Sequence, residues 1–388
     1  MSDSFDQISQ QLKRRHRKSA RLKYLSMGAL GLAATFLVIF FADMLSKGLP
    51  AFQQAQVNIE VNYTEEAATN GRAAVDPEIM SIVSRSVVRV IPLDIRNNPD
   101  LLGTTENRWV LASGPVDQYL KGNRVRLSED EMAVIDQLVE DGQVALRFNT
   151  TFFSRGDSKM PELAGIMSAV MGTVMTMIVT LAIAFPIGVM TAVYLEEFAP
   201  DNKLTQLIEI NINNLAAIPS ILFGLLGLAI FINFFGVPRS SPLVGGMTLA
   251  LMTLPVIIIS TRTALRSVPE SIRHAAFGVG CSRWQVVKDH VLPLAMPGIM
   301  TGSIIGLAQA LGETAPLIIV GMVAFIPDVT ASFTQAATVM PAQVFTWSGE
   351  PDRAFVEKTA GGILVLLAVL ISLNASAVLL RKKFERRW

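Results

Sequence analysis

Residues 268–294 read V-P-E-S-I-R-H-A-A-F-G-V-G-C-S-R-W-Q-V-V-K-D-H-V-L-P-L, from Val268 to Leu294. They form the centre of a polar, basic segment, Arg262 to Pro297, set between two long apolar runs. The spacing predicts two short helical pieces, roughly Pro269 to Phe277 and Arg283 to Val291. Between them stands Gly280, which can take backbone angles closed to other residues. Such a segment can bend into a docking knob. Ala275 and Ala276 carry no bulk, so a partner's groove can close onto the backbone there. Trp284 and Val287 offer apolar anchors of the kind that dominate interfaces. Leu292-Pro293 is expected to end the knob before the next apolar helix, because proline removes a donor and disfavours helix just before it.

The runs on either side are long enough to cross a bilayer, which takes about 20 apolar residues. The first is Met27 to Leu45, taken as a retained helix because no small-residue cleavage pattern follows before Lys47. The others are Leu163 to Leu195, Leu207 to Phe235, Leu243 to Thr261, Met296 to Phe325 and Gly361 to Leu380. Six crossings follow. The chain has 388 residues, is 51% hydrophobic and carries a formal charge of only +1, so no global basic field points to nucleic acid. The charge is segregated. Lys13, Arg14, Arg15, Arg17, Lys18, Arg21 and Lys23 crowd the start, and Arg381, Lys382, Lys383, Arg386 and Arg387 face only Glu385 in the tail. Both ends are therefore expected on the cytoplasmic side. That orientation also puts Arg262, Arg266, Arg273, Arg283 and Lys288 inside, whereas the short loop Glu196 to Gln206, also placed inside, is neutral evidence. Cys281 is the single cysteine, so no intrachain disulfide can form.

Residues 47–160 differ in character. From Ala51 to Met160 there are 16 acidic and 11 basic residues and no membrane-length apolar run. Ser86 to Ile95 and Gln143 to Phe153, rich in β-branched and aromatic residues, predict strands. Ser128 with Glu131 forms a capping box opening a helix to Val139, with Gly142 beyond it. The segment is long enough for a small α+β domain outside the membrane. It holds no catalytic constellation.

Two features mark the apolar core. Leu215 to Gly227 reads L-A-A-I-P-S-I-L-F-G-L-L-G, and Pro219 with Ser220 interrupts an otherwise continuous helix, as happens where backbone lines a path. Farther on, Gly298, Gly302, Gly306 and Ala310 form a four-residue ladder that lets two helices approach closely. Gly312-Glu313-Thr314-Ala315-Pro316-Leu317 follows. Glu313 is the only carboxylate between Asp289 and Asp328, and a charge within an apolar run is by default a functional candidate.

These residues carry a resemblance. Ala275, Ala276, Gly280 and Leu292-Pro293 fall at the spacing of the cytoplasmic loop E-A-A-x3-G-x9-I-x-L-P of ABC-importer permeases, with His274 in place of Glu and His290 in place of an aliphatic. The Pro219-Ser220 stretch is similar to A-x-I-P-S-x-x-x-G of phosphate-importer permeases, and G-E-T-A-P-L to the signature of PstA-type permeases of the phosphate-specific ABC importer. The resemblance covers Leu163 to Leu380. It implies an all-α membrane protein, a six-helix type I ABC importer permease, with an α+β domain inserted between helices 1 and 2. The implied layout is a basic start 1–26, a first helix 27–46, an extracytoplasmic domain 47–160, a five-helix core 161–380 with its coupling loop at 262–297, and a tail 381–388.

What the resemblance implies for function is import of inorganic phosphate through a bacterial inner membrane by alternating access. The implied partners are a second, PstC-like permease, a PstB-like ATPase dimer and a PstS-like extracytoplasmic phosphate-binding protein. His274, Ala275, Ala276, Gly280, Trp284, Leu292 and Pro293 would couple to the ATPase. Pro219, Ser220, Gln309, Glu313 and Thr314 would line or brace the path. Gln309 stands where members often carry arginine, so a direct phosphate-to-arginine contact is absent at that position. Glu313 repels phosphate and is expected to position a polar or basic group instead. No cofactor or metal is implied. The chain lacks G-x-x-x-x-G-K-[ST], and also H-E-x-x-H, paired cysteines and Gly-x-Ser-x-Gly, which argues against an ATPase or an intramembrane enzyme. The readings that compete are a permease for sulfate or molybdate, and a membrane-anchored sensor, which would need an output domain.

Overall fold

The computed structural model describes residues 2–77, 79–323 and 325–384; Glu385, Arg386 and Arg387 of the tail lie outside the described residues. Helix α1 (Ser2–Gly48) is a single rod about 70 Å long at 1.5 Å per residue. Near its end it meets the body, where Gly48 lies against Ala360 and Leu364. The inserted domain follows, in the order β1 (Gln53–Asn62), α2 (Arg85–Asn97), β2 (Thr105–Leu111), α3 (Gly114–Leu120), α4 (Glu129–Glu140) and β3 (Val144–Phe148). Its sheet is antiparallel in the order β2-β1-β3, with Val57 opposite both Val110 and Val144. Ala55, Val57, Ile59 and Val61 alternate along β1 and bury one face against the helices.

Two expectations for this domain are corrected. Ser86 to Ile95 is helix, not strand. Its buried residues, Val87, Ile91 and Ile95, follow a four-residue period along one helical face, and Ser84 caps the start by accepting from Ser86 N at 3.3 Å. Pro92 inside it frees the Val88 carbonyl, and Gly71 backs onto that carbonyl where no side chain fits. Gln143 to Phe153 divides: β3 ends at Phe148, and Asn149 then caps the short helix α5 (Thr150–Ser154) by accepting from Phe152 N at 2.9 Å. The Ser128–Glu131 capping box is present at the start of α4.

The bundle comprises α6 (Met167–Val193), the pair α7 (Lys203–Leu215) and α8 (Ser220–Gly227), α9 (Pro242–Arg266), α10 (Glu270–Gly278), α11 (Arg283–Gln285), α12 (Leu292–Gly312), α13 (Ala315–Ile319), α14 (Met340–Ser348) and α15 (Ala354–Phe384). Among the described residues five helices are long and apolar enough to cross a membrane. The bent pair spanning Lys203 to Phe234 makes six if it counts as one crossing. The expected run Leu207 to Phe235 is therefore not one straight helix. It turns by 104° at residues 216–219. The run Met296 to Phe325 also stops early, because α12 ends at Gly312 and the chain re-forms as α13 after Glu313 and Thr314.

The glycine ladder packs α12 antiparallel on α9. A Cβ on Gly298 would stand 2.6 Å from the Ala264 Cβ, one on Gly306 2.9 Å from a Thr253 methyl, and one on Gly302 would collide with Ser260. The same register sets Glu313 near the level of Leu249, seven residues into α9, or about 10 Å from the end of the bundle that carries the sheet.

Candidate functional site

At the end of the bundle away from the sheet, α9 closes with Ser267, and Pro269 starts the short helix α10. Gly280 has φ +86°, the left-handed turn expected of it, and its side-chain position is open space. Ser282 then caps α11 in a second capping box with Gln285. These pieces make the knob. It is held to the bundle by arginines. Arg273 donates to the carbonyls of Val268 at 2.6 Å and Leu265 at 3.0 Å, and to Glu197 Oε1 at 2.7 Å. Glu196 pairs with Arg266 at 2.7 Å and Arg262 at 3.2 Å, and Arg262 reaches Glu209 at 2.6 Å. The acidic loop that charge counting left neutral is thus the counter-charge of the basic segment. The sequence offered a signal for this: two adjacent glutamates at the end of one apolar run and three arginines at the end of another.

The knob's face differs in part from expectation. His274 and Ala275 are exposed, and Trp284 is 60% exposed while resting on Phe198, with ring centroids 6.4 Å apart. Ala276 and Val287 are buried, Ala276 among Leu265, Val286 and Val291, so neither offers side-chain surface on the knob's outer face. The apolar surface comes instead from Phe277 and Val279, the latter 80% exposed; both flank Gly280, which was the available clue. Leu292 and Pro293 are half-buried and do not end the knob. The chain runs helical from Arg283 to Gly312, with a π-type turn over Val286–Val291 that absorbs the donor missing at Pro293.

The second cluster lies toward the sheet end. Pro219 caps α8 and Ser220 opens it, while Glu313 and Thr314 separate α12 from α13. The segment after one break packs on the segment after the other: Gly224 of α8 lies so close to α13 that a Cβ there would be 2.7 Å from Pro316 Cα. Gly227 packs on Thr248 of α9 in the same way. Gln309 and Pro219 are exposed, and Ser220, Glu313 and Thr314 are half-buried. Among the described residues the Glu313 carboxylate makes no hydrogen bond or ion pair. Two helices interrupted within the bundle thus pack through the short segments α8 and α13 that follow their breaks.

The chain is similar to known membrane transport proteins. Residues 184–388 match the family described as binding-protein-dependent transport system inner membrane component, and residues 9–78 and 69–130 match a family described only as a domain of unknown function. The chain is 30% identical over 224 residues to phosphate transport system permease protein PstA 1 of Mycobacterium tuberculosis, covering 58% of this chain and 72% of that protein. It is 29% identical over 231 residues to phosphate transport system permease protein PstA of Mycobacterium leprae, 59% of this chain and 75% of that one. A probable ABC transporter permease protein of Bacillus subtilis, YqgI, is 32% identical over 188 residues, 48% of this chain and 63% of that one. Among solved structures, an inward-facing methionine ABC transporter, MetNI, is similar with a TM-score of 0.46 and 19% identity, covering 56% of this chain and 96% of that one.

Proposed function

Because the chain belongs to the family of binding-protein-dependent transport system inner membrane components, and within it to the PstA-type permeases, we propose that it is the membrane subunit of an ATP-driven importer of inorganic phosphate. As a permease subunit it carries no ATPase site of its own. A separate ATPase docks on the knob, and an external binding protein delivers phosphate at the sheet end. A second permease subunit completes the path, with both chain termini on the ATPase side.

The observation that carries the reading is the knob: an exposed apolar edge of Phe277, Val279 and Trp284 on a segment strapped by Arg273 to both α9 and the end of α6. A push on that edge reaches the membrane helices through charged hydrogen bonds and the continuous α11–α12 rod rather than through a slack loop. The broken helices near Glu313 are where the path opens and closes. Short segments joined at Pro219-Ser220 and Glu313-Thr314 can re-angle without unwinding a whole span. Glu313 does not hold phosphate directly, since like charges repel. It orders a polar or basic group donated across the path.

ATP-dependent uptake of radiolabelled phosphate into proteoliposomes holding the complete complex tests the substrate, with sulfate and molybdate as competitors. Phosphate uptake that excess sulfate leaves unchanged is the expected result. Uptake of sulfate or molybdate in its place overturns the substrate, and no ATP-dependent uptake of any of the three overturns the transport reading.

A further inference from the structure

The inserted domain meets the bundle through a buried ionic cluster that neither the knob nor the helix breaks use. Just after α3, Lys121 Nζ bonds Asp117 Oδ2 at 2.8 Å and Glu357 Oε1, in the first turn of α15, at 2.6 Å. Gln118 Nε2 donates to the other Glu357 oxygen at 2.9 Å, and Asp117 Oδ1 accepts from the β1 amide of Ala55 at 2.7 Å. The Lys121 and Glu357 side chains are 4% and 6% exposed. Glu162, buried in the turn before α6, accepts from the Ser84 hydroxyl at 2.9 Å, and its main-chain carbonyl accepts from the Gln54 side chain. Lys358 is buried too, its ammonium 5.1 Å from the centre of the Phe152 ring.

Charges taken out of water are costly, and such a pair repays that cost only while both partners hold hydrogen-bond geometry. A domain joined to the bundle merely by its two chain crossings needs no such contact. Here a third element far away in sequence is gripped. Backbones close up beside the grip, where a Cβ on Gly361 would stand 2.6 Å from Ala51. At its other end α15 touches α12, where Arg381 donates to the Thr301 hydroxyl at 3.3 Å, and α12 runs on into the knob. The contacts therefore connect the domain to the knob through two helices.

We propose that the Lys121–Glu357 pair locks the inserted domain and α15 into one lever, with Glu357 the positioning residue through which load placed on the domain reaches the knob. The proposal rests on the transport reading above, since the load is the docked binding protein. The domain then serves to report that docking to the ATPase end. The lever works as a coupling between two sites, so cutting it removes the response of one to the other without removing either.

The test uses the complete complex in phospholipid nanodiscs. ATP hydrolysis is measured with and without phosphate-loaded binding protein, alongside hydrogen exchange over residues 114–121 and 354–361. Lys121→Glu sets a carboxylate against Asp117 and Glu357, and the swap Lys121→Glu with Glu357→Lys restores an opposite pair. The expected result is faster exchange in the single variant, unchanged basal hydrolysis, stimulation cut by about tenfold, an ordinary size for coupling between two sites, and recovery in the swap. Glu357→Gln, which keeps the side chain's shape, carries the same test if Lys121→Glu fails to assemble. Full stimulation despite fast exchange overturns the lever. So does lost stimulation in a swap whose exchange is native. If the unaltered complex is not stimulated at all, the transport reading itself has failed, and the lever with it.

Discussion

A single hydrogen decides the seam between α9 and α12. At Gly302 any Cβ would run into Ser260, and the backbone on neither side can yield without opening the contact. Gly302→Ala is expected to cost about 1–3 kcal/mol, the usual penalty of overpacking. Ser260→Gly in the same chain should return most of it, and thermal unfolding in detergent checks both. Gly280 is the opposite case. Its surroundings are open, so Gly280→Ala should cost only about 1–2 kcal/mol from the left-handed backbone, and it should loosen the knob rather than the bundle.

Glu131 gives a residue-scale test by pH. The backbone N–H of Ser128, and then its hydroxyl, bond the carboxylate and hold its pKa below the usual glutamate range. A carboxyl group depressed in the folded state adds stability above its unfolded value, and that stability fades as pH falls through the folded one. Amides in the first turn of α4 should therefore exchange faster as pH is lowered below the ordinary glutamate range, once the intrinsic pH dependence of exchange is removed. Glu131→Gln should flatten that dependence.

At the scale of elements, the Arg273 strap is what makes the knob part of the bundle. Arg273→Gln abandons the Glu197 pair and frees two helix-end carbonyls. The expected cost is about 2 kcal/mol, the worth of a charge-assisted bond, seen as faster proteolysis between Phe277 and Gly280 with the membrane helices intact. The knob's two helices, its glycine turn, the α4 capping box and the number of membrane-length runs were all legible in the sequence, because each rests on local chemistry or on hydropathy. What was not legible depended on partners far along the chain. Val87, Ile91 and Ile95 look like strand residues until their four-residue spacing meets a core. The alternation at Ala55, Val57, Ile59 and Val61 is present in the sequence but is weak beside the long apolar runs of the helices. Ala276 reads as surface because nothing local shows that Leu265, Val286 and Val291 cover that side of the knob, and Val287 because nothing local shows that it is buried. The break at Pro219-Ser220 was visible in the sequence, whereas the one at Glu313-Thr314, inside a run that reads as a single helix, and the packing of α8 on α13 were not.

At the scale of the whole molecule, the chain places a rigid sheet domain at one end of a helical bundle and a strapped knob at the other. The interrupted helices lie between them, near the sheet end. The contacts at both ends are buried or charge-assisted, so a force on either end moves whole helices; on the transport function proposed above, that is how ATP would open the path. The central claim is that the exposed edge of the knob is the surface through which ATP hydrolysis is coupled to transport. Ala275 is the place to test it, because it is exposed beside Phe277 while its neighbour Ala276 is buried and would fail for reasons of packing. The decisive measurement is ATP-driven phosphate uptake by the reconstituted complex carrying Ala275→Arg, with thermal unfolding as the control for folding. Uptake lost in a folded complex is the predicted result; uptake equal to that of the unaltered complex would contradict the account.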